Sequence, residues 1–475
     1  MSDPPSRVPP RRRYFRTPAT APGPTGPQML SDFGTIRRDP LEYLHQTWRR
    51  HGDVVQFPVP WPSYLVNDPP SVREVLVTRA RNFDKDTLQY RALSLVTGEG
   101  LLTADNDPAR RQRRIVQPAF HHETTGALAQ HVTTAAARVS ERWRSRCSVE
   151  RECVIDVDAD MMHAALEVVG DALFRTDLTG QADRLAAATL AALDVVIARA
   201  RTPIAPPPWL PTPRNVALRR ANAKLDSAVH TMIADRRPAL PSADSSLEHA
   251  AADRAPDMLD MLMQAQDEDG IGLSDREIRD QMVTFIVAGH ETVASALTWA
   301  WALLAAAPEW QERAQEEVDS VVAGRLPTIE DFPRLPIVRA ILDESLRLYP
   351  PAWLITRSSA ESSDFDGWQV PSGALIIMSP WLLHRHPDLW DRPDDFDPGR
   401  FLDDRVSRWA FIPFGAGPRL CIGRDFALLE GTLLLASLLA AFAVEFPPGQ
   451  GIPQADPQVT MRPANGLPLL VRVRS

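Results

Sequence analysis

Between Ser274 and Pro308 the chain runs 33 residues without a proline. The run opens with Ser274 and Glu277, spaced as a capping box in which each side chain satisfies the other's backbone N–H. At about 1.5 Å per residue this predicts a helix over 275–307 some 50 Å long. Its second half is apolar on most sides, so it has no face to give to solvent and must cross the middle of a large domain. A fold that accommodates such an element is large and mainly helical.

The rest of the chain agrees. Helical patterns recur over 69–80, 108–120, 130–146, 161–174, 181–201, 215–236, 308–322, 336–349 and 424–442. Strand signals are few: 54–57 and 64–67 flank a Pro-rich turn and read as a hairpin, with 374–378 and 469–473 as further candidates. The segment 202–214 carries six prolines and reads as a loop between helices. The polar, Ala/Ser/Asp-rich 240–256 reads as a surface loop. The first 27 residues hold eight prolines and five arginines with no apolar stretch, which excludes a signal peptide and suggests a disordered basic arm over 1–28. One large domain, 29–475, is expected behind it. Its class is mainly α with a small β portion.

Composition decides what the chain does not do. Lys+Arg of 52 against Asp+Glu of 61 leaves a net charge of −9, which ranks nucleic-acid binding low. The long uncharged stretches 292–308 and 431–444 fall short of a membrane span of about 20 residues. Three cysteines cannot form a disulfide framework for 475 residues and fit a reducing, cytoplasmic compartment. Only Lys85 and Lys224 are lysines among the 52 basic residues, a bias of GC-rich genomes.

Cys147 and Cys153 read as small buried hydrophobes. Cys421 does not. It lies in Phe414-Gly415-Ala416-Gly417-Pro418-Arg419-Leu420-Cys421-Ile422-Gly423, a tight loop before an apolar helix. A thiolate at a helix N-terminus gains from the dipole and free N–H groups, which lower its pKa and suit it to bind metal. Gly417 and Gly423 allow close approach to something flat and bulky, and Arg419 supplies a fixed cation.

The pattern Phe-x-x-Gly-x-Arg-x-Cys-x-Gly resembles the haem-thiolate loop of cytochromes P450, here of the soluble bacterial type. Further motifs of that family follow in order from about residue 40 to the C-terminus. Glu344-Ser345-Leu346-Arg347 resembles its Glu-x-x-Arg helix. Phe396 to Phe401 resembles the segment whose arginine, here Arg400, joins that pair. Apolar Ile341, Leu342, Leu346 and Leu348 favour a buried network over a surface ion pair worth a few tenths of a kcal/mol. Ala288-Gly289-His290-Glu291-Thr292 resembles the oxygen-binding motif: Ala288 and Gly289 leave room on one helix face, and Glu291 with Thr292 supplies an acid and a hydroxyl for proton delivery. Val293 stands where the family usually carries a second hydroxyl.

The resemblance implies haem b held by Cys421 through iron, near Phe414, Gly415, Gly423 and Ala288, with propionates met by Arg113, Arg357 and Arg419. The family's Trp-x-x-x-Arg helix carries Ala109 at the tryptophan position, so one propionate loses a donor or is served by another group. If Arg113's helix borders the cysteine side, the remaining Arg110, Arg111 and Arg114 form a docking patch for an acidic ferredoxin. The implied fold has a long central helix crossing over the haem.

The implied activity is an O2-dependent monooxygenase that hydroxylates or epoxidises an apolar small molecule of terpenoid, fatty-acyl or polyketide type, terpenoid first. Electrons come from a separate ferredoxin, with its NAD(P)H reductase, or a flavodoxin. Desaturation or oxidative coupling by the same cofactor is the alternative, and a non-catalytic haem sensor or carrier the second. His290-Glu291 lacks the second histidine of a zinc-protease motif, position 294 being Ala, and His384-Arg385-His386 reads as structural. The resemblance implies a pocket lined by 83–102, 202–214, Phe285, Ala288 and 352–355, which offer apolar Leu88, Leu93, Leu95, Trp209, Trp353 and Ile355; Tyr90 and Arg91 offer an anchor for a carboxylate but read sooner as exposed loop residues.

Overall fold

A computed structural model describes residues 21–474 except 121, 148–150, 175–191, 194, 197–205, 208, 238–257, 267–269 and 404–405. The expected helix 181–201 falls outside it except for four helical residues, Ala192, Leu193, Val195 and Val196, and the loop 240–256 lies wholly outside.

The long helix spans Asp275–Ala306, and the Ser274–Glu277 capping box forms as the spacing requires. It packs against helices Val157–Phe174, Pro336–Leu348 and Arg424–Leu439. Trp299, Ala300, Leu304, Leu433 and Leu434 lie together in the main apolar core, all without exposure. Ser295 and Trp299 both donate to the Met461 carbonyl, at 2.6 and 2.8 Å. These bonds pin the C-terminal hairpin, Ala455–Pro457 with Met461–Pro463, against the middle of the helix.

Strands are short. A five-stranded sheet runs in the order Val54–Phe57, Ser63–Val66, Leu375–Met378, Ile355–Ser359, Phe83–Asp84; the pairing of Ser63–Val66 with Leu375–Met378 is parallel and the others are antiparallel. A second sheet joins Glu152–Asp156, Pro468–Val473 and Phe442–Glu445.

Several expectations change. Residues 21–28 are part of the fold: the Gln56 N–H donates to the Pro22 carbonyl, and a capped helix starts at Gly26. The arm thus cannot reach residue 28. The expected helix over 69–80 is α-helical only to Arg73 and then widens to a π-helix over Glu74–Thr78. A helix missed in the sequence occupies Leu88–Thr97. Cys147 and Cys153 are not separate thiols but a disulfide, with Cα atoms 5.1 Å apart, joining a helix end to the adjoining strand. Among the described residues no helix is long and apolar enough to cross a membrane.

Candidate functional site

The cysteine loop is built on backbone bonds. Cys421 N–H donates to the Phe414 carbonyl at 3.0 Å, closing a loop that contains Gly415 and Gly417 at φ +69° and +68°. Gly417 is required by its neighbour: a Cβ there would stand 2.0 Å from the Leu76 carbonyl oxygen. Its close approach is therefore to the backbone of the π-helix, not to a ligand. Gly415 has no protein atom within 4 Å of such a Cβ and lines a cavity of about 700 Å³.

Cys421 presents its surface to that cavity. Burial pushes its thiol pKa up, against the Gly423 N–H and the Arg113 and Arg424 cations, which act in the other direction. The lowered pKa expected from the helix N-terminus is thus reversed for the thiol by itself, because desolvation of the anion outweighs those contacts.

Three sequence-predicted arginines converge on the same cavity. Arg113 donates to the Leu420 carbonyl at 2.7 Å, fastening its helix, Asn106–Val116, to the cysteine loop. Arg357, on the strand Ile355–Ser359, donates to the Tyr90 hydroxyl at 3.2 Å. Arg419 has two terminal nitrogens buried without a hydrogen-bond partner, and burial lowers its pKa. Arg111, expected in the exposed patch, is engaged elsewhere: it pairs with Glu277 at 2.9 Å at the start of the central helix.

On the opposite wall Ala288, Glu291 and Thr292 line the cavity. Glu291 is 4% exposed, a buried carboxyl rather than a solvated one. The Thr292 hydroxyl donates to the Ala288 carbonyl at 2.7 Å. Gly289 serves helix packing: a Cβ there would meet Val169 at 2.8 Å, so the space it leaves is taken by the helix Val157–Phe174. His290 is fully buried, bonds the Ile286 carbonyl through Nδ1 and has its pKa lowered to about 4, chiefly by burial.

The apolar walls include Leu93, Leu101, Phe285, Leu354 and Ile355. Leu88 and Trp209 point instead to solvent at 43% and 74% exposure, and Trp353 turns away to bond the Gln458 carbonyl. Leu95 packs beside a neighbouring core. Arg91 pairs with Asp86 at the surface, while Tyr90, expected to be exposed, lines the cavity. Phe120, Val169 and Val459 also line it. No local sequence signal marks them, since distant elements bring them in.

Behind the site, Arg347 and Glu344 form the expected buried pair, Nε–Oε2 2.6 Å and Nη2–Oε1 2.7 Å, both without exposure. Arg347 also donates to the carbonyls of His384, Pro393 and Asp395, and Arg400 stands 3.4 Å from Glu344. His384 accepts the Ile412 N–H on Nε2, the structural role expected of it.

A family model described as Cytochrome P450 matches residues 22–470. The chain is 36% identical to cyclooctatin synthase of Streptomyces melanosporofaciens, over 96% of this chain and 98% of that one. It is 37% identical to cyclooctat-9-en-7-ol 5-monooxygenase of the same organism (94% and 93%), and 34% identical to pentalenene oxygenase of Streptomyces avermitilis (90% and 92%). Among solved structures, CYP175A1 from Thermus thermophilus superposes with a TM-score of 0.73 at 30% identity, covering 94% of this chain and 98% of that one.

Proposed function

This chain belongs to the cytochrome P450 family, and from that premise we propose that it places one oxygen atom from O2 on an apolar terpenoid, using haem b held by Cys421. The monooxygenase class and a haem-thiolate iron cofactor come with the family. The observation that carries the finer reading is convergence: Cys421, the arginines 113, 357 and 419, and the pair Glu291–Thr292 all line one cavity.

The residues fit such a cofactor. The buried, unpartnered guanidinium nitrogens of Arg419 need an anion, which a propionate supplies. Gly415 leaves the loop open toward the cavity. Cys421 would hold the iron, and Arg113, Arg357 and Arg419 the propionates. A bound metal cation also removes the desolvation penalty on the Cys421 anion. Haem so ligated supplies dioxygen activation, with thiolate donation favouring O–O cleavage.

The chain's own residues do the rest. With its proton given to the Ala288 carbonyl, the Thr292 hydroxyl oxygen remains an acceptor. Glu291, buried beside it, is the group that passes protons inward. Val293 adds no hydroxyl, so this relay has one. Apolar Leu93, Leu101, Phe285, Leu354 and Ile355 exclude water and bind hydrocarbon. The names of the relatives, with cyclooctat-9-en-7-ol and pentalenene in them, support a terpenoid here as well.

Electrons would come from an acidic ferredoxin. Exposed Arg110, Arg114, Arg408 and Arg424 on or near the cysteine-loop side support that docking. A cytoplasmic setting suits such a partner, although the Cys147–Cys153 disulfide removes the cysteines as an argument for it.

Two measurements test this reading. The reduced protein with carbon monoxide should show the red-shifted Soret band of thiolate ligation, and Cys421→Ser should lose it; a band that survives the substitution removes Cys421 from the iron. Terpenoids titrated into the ferric protein should drive a low-to-high-spin shift that fatty acids and macrolide precursors do not. A shift with fatty acids alone would overturn the terpenoid assignment.

A further inference from the structure

Among the described residues, the hydroxyls of Tyr90, Thr284, Thr292 and Thr460 line the cavity. Tyr90 accepts from Arg357, and Thr292 donates to the Ala288 carbonyl. Thr284 Oγ1 has no hydrogen-bond partner, although the residue is only 3% exposed. Buried threonines elsewhere in the long helices behave differently. Thr298 and Thr432 each return their proton to the carbonyl four residues back, at 2.8 and 2.7 Å. The Thr284 hydroxyl makes no such bond, so its donor and its acceptor sites both stay open to a ligand.

The surroundings hold that hydroxyl in place. The Glu99 N–H donates to the Asp280 carboxylate at 3.0 Å and the Leu101 N–H to Gln281 Oε1 at 3.1 Å, tying 99–101 to the first turns of the central helix. Gly100 between them lies so close that a Cβ there would stand 2.1 Å from Thr284 Oγ1. The cavity wall nearby is hydrocarbon, with Leu101, Phe285 and Phe120, the two rings 5.6 Å apart. An unpaired hydroxyl in such a place costs more than an ordinary hydrogen bond returns, so it selects against a ligand with nothing to offer it. Thr284 precedes Thr292 by eight residues on one stripe of the helix, about 12 Å along its axis. Thr460, the other unpartnered hydroxyl, adjoins Met461, whose carbonyl Ser295 and Trp299 hold, and so stands past Thr292 at the opposite end.

We propose that Thr284 is a specificity-determining residue that binds an oxygen the substrate already carries, so that the chain oxidises a terpenoid alcohol rather than a terpene hydrocarbon. This rests on the terpenoid reading of the same cavity. Thr284 holds the alcohol at one end while Glu291 and Thr292 mark the reacting end, so the second oxygen enters several carbons from the first. The reaction itself is unchanged: one C–H becomes C–OH, and the other atom of O2 leaves as water with two protons and two electrons from the redox partner. A hydroxyl-installing step, either hydroxylation of the hydrocarbon or a cyclisation ended by water, must precede this one.

The test uses holoenzyme of wild type, Thr284→Val and Thr284→Ser. Valine keeps the shape and removes the hydroxyl; serine keeps the hydroxyl. Dissociation constants are read by equilibrium dialysis for matched pairs, cedrene with cedrol and farnesene with farnesol. Wild type should bind each alcohol about tenfold tighter than its hydrocarbon. Thr284→Ser should keep that preference and Thr284→Val should lose it. Equal binding of alcohol and hydrocarbon by wild type overturns the inference, as does a preference that survives in Thr284→Val or that vanishes in Thr460→Val instead. Turnover of an alcohol to a vicinal diol also overturns it, because the new oxygen would then enter beside the old one. Failure of the terpenoid reading is separate: neither member of either pair would bind, while fatty acids would.

Discussion

Thr292 has already committed its proton to the Ala288 carbonyl, so it enters the site as an acceptor that holds a hydrogen bond in place. Thr292→Ala should leave substrate-induced spin shifts intact while product formed per NADPH falls several-fold and peroxide accumulates; unchanged coupling would remove Thr292 from proton delivery. At this scale the sequence pointed to Cys421, Glu291 and Thr292, which line one cavity, because they sit in motifs whose spacing the helix and loop impose locally. It did less well with residues defined by what they oppose. Gly417 and Gly289 announce that something comes close, yet only the fold shows that the visitors are the Leu76 carbonyl and Val169. Lys85 was legible only as codon bias. Its place at the cavity depends on a strand register linking residue 84 to residue 358.

Elements were legible where local physics sets them. The capping box and absence of proline fixed the central helix to within a residue, and Pro308–Val322 begins and ends where its pattern does. The π-helix at Glu74–Thr78 was not, since helical periodicity does not distinguish a widened turn. Nor was the disulfide, which needs helix end and strand to fold back on one another. The packing of the central helix on Val157–Phe174 yields a prediction with opposing terms. Alanine in place of a mid-helix glycine is worth up to about 1 kcal/mol, whereas overpacking costs about 1–3 kcal/mol. With Val169 fully buried and stiff, Gly289→Ala should destabilise by about 1 kcal/mol. Combined with Val169→Ala, the loss should be less than the sum of the single variants in denaturant unfolding; strict additivity would mean that the two side chains do not compete for one space.

Across the whole molecule, buried titratable groups set the response to acid. Folded His384 and His290 stay neutral down to about 3 and about 4, while in the unfolded chain each takes up a proton near 6.5. The unfolded state thus binds more protons in this window, and stability present above pH 6.5 drains away as pH falls. Asp84, raised to about 6 by burial, and Glu430, raised well above the usual carboxylate range by burial, work oppositely as pH falls and offset the two. The histidine contribution is therefore read by difference: in urea unfolding a His290→Gln variant should lose less stability than the wild type between pH 6 and 4, by roughly 1.4 kcal/mol per pH unit, and equal slopes would contradict a neutral buried histidine. The exposed arginines make the second prediction at this scale. Arg110→Glu with Arg114→Glu should lower kcat/KM for an acidic ferredoxin about tenfold and flatten its dependence on salt, leaving substrate spin shifts unchanged.

The gathering of Arg113, Arg357 and Arg419 around one cavity has a cellular consequence. Like charges facing one another favour expansion of the chain until an anionic partner arrives, so occupancy and foldedness rise together. Newly made protein that misses its cofactor would spend more time open and be cleared by proteases. Steady-state abundance would then follow the iron and porphyrin supply of the cell even at constant transcription, making the protein level a readout of nutrition.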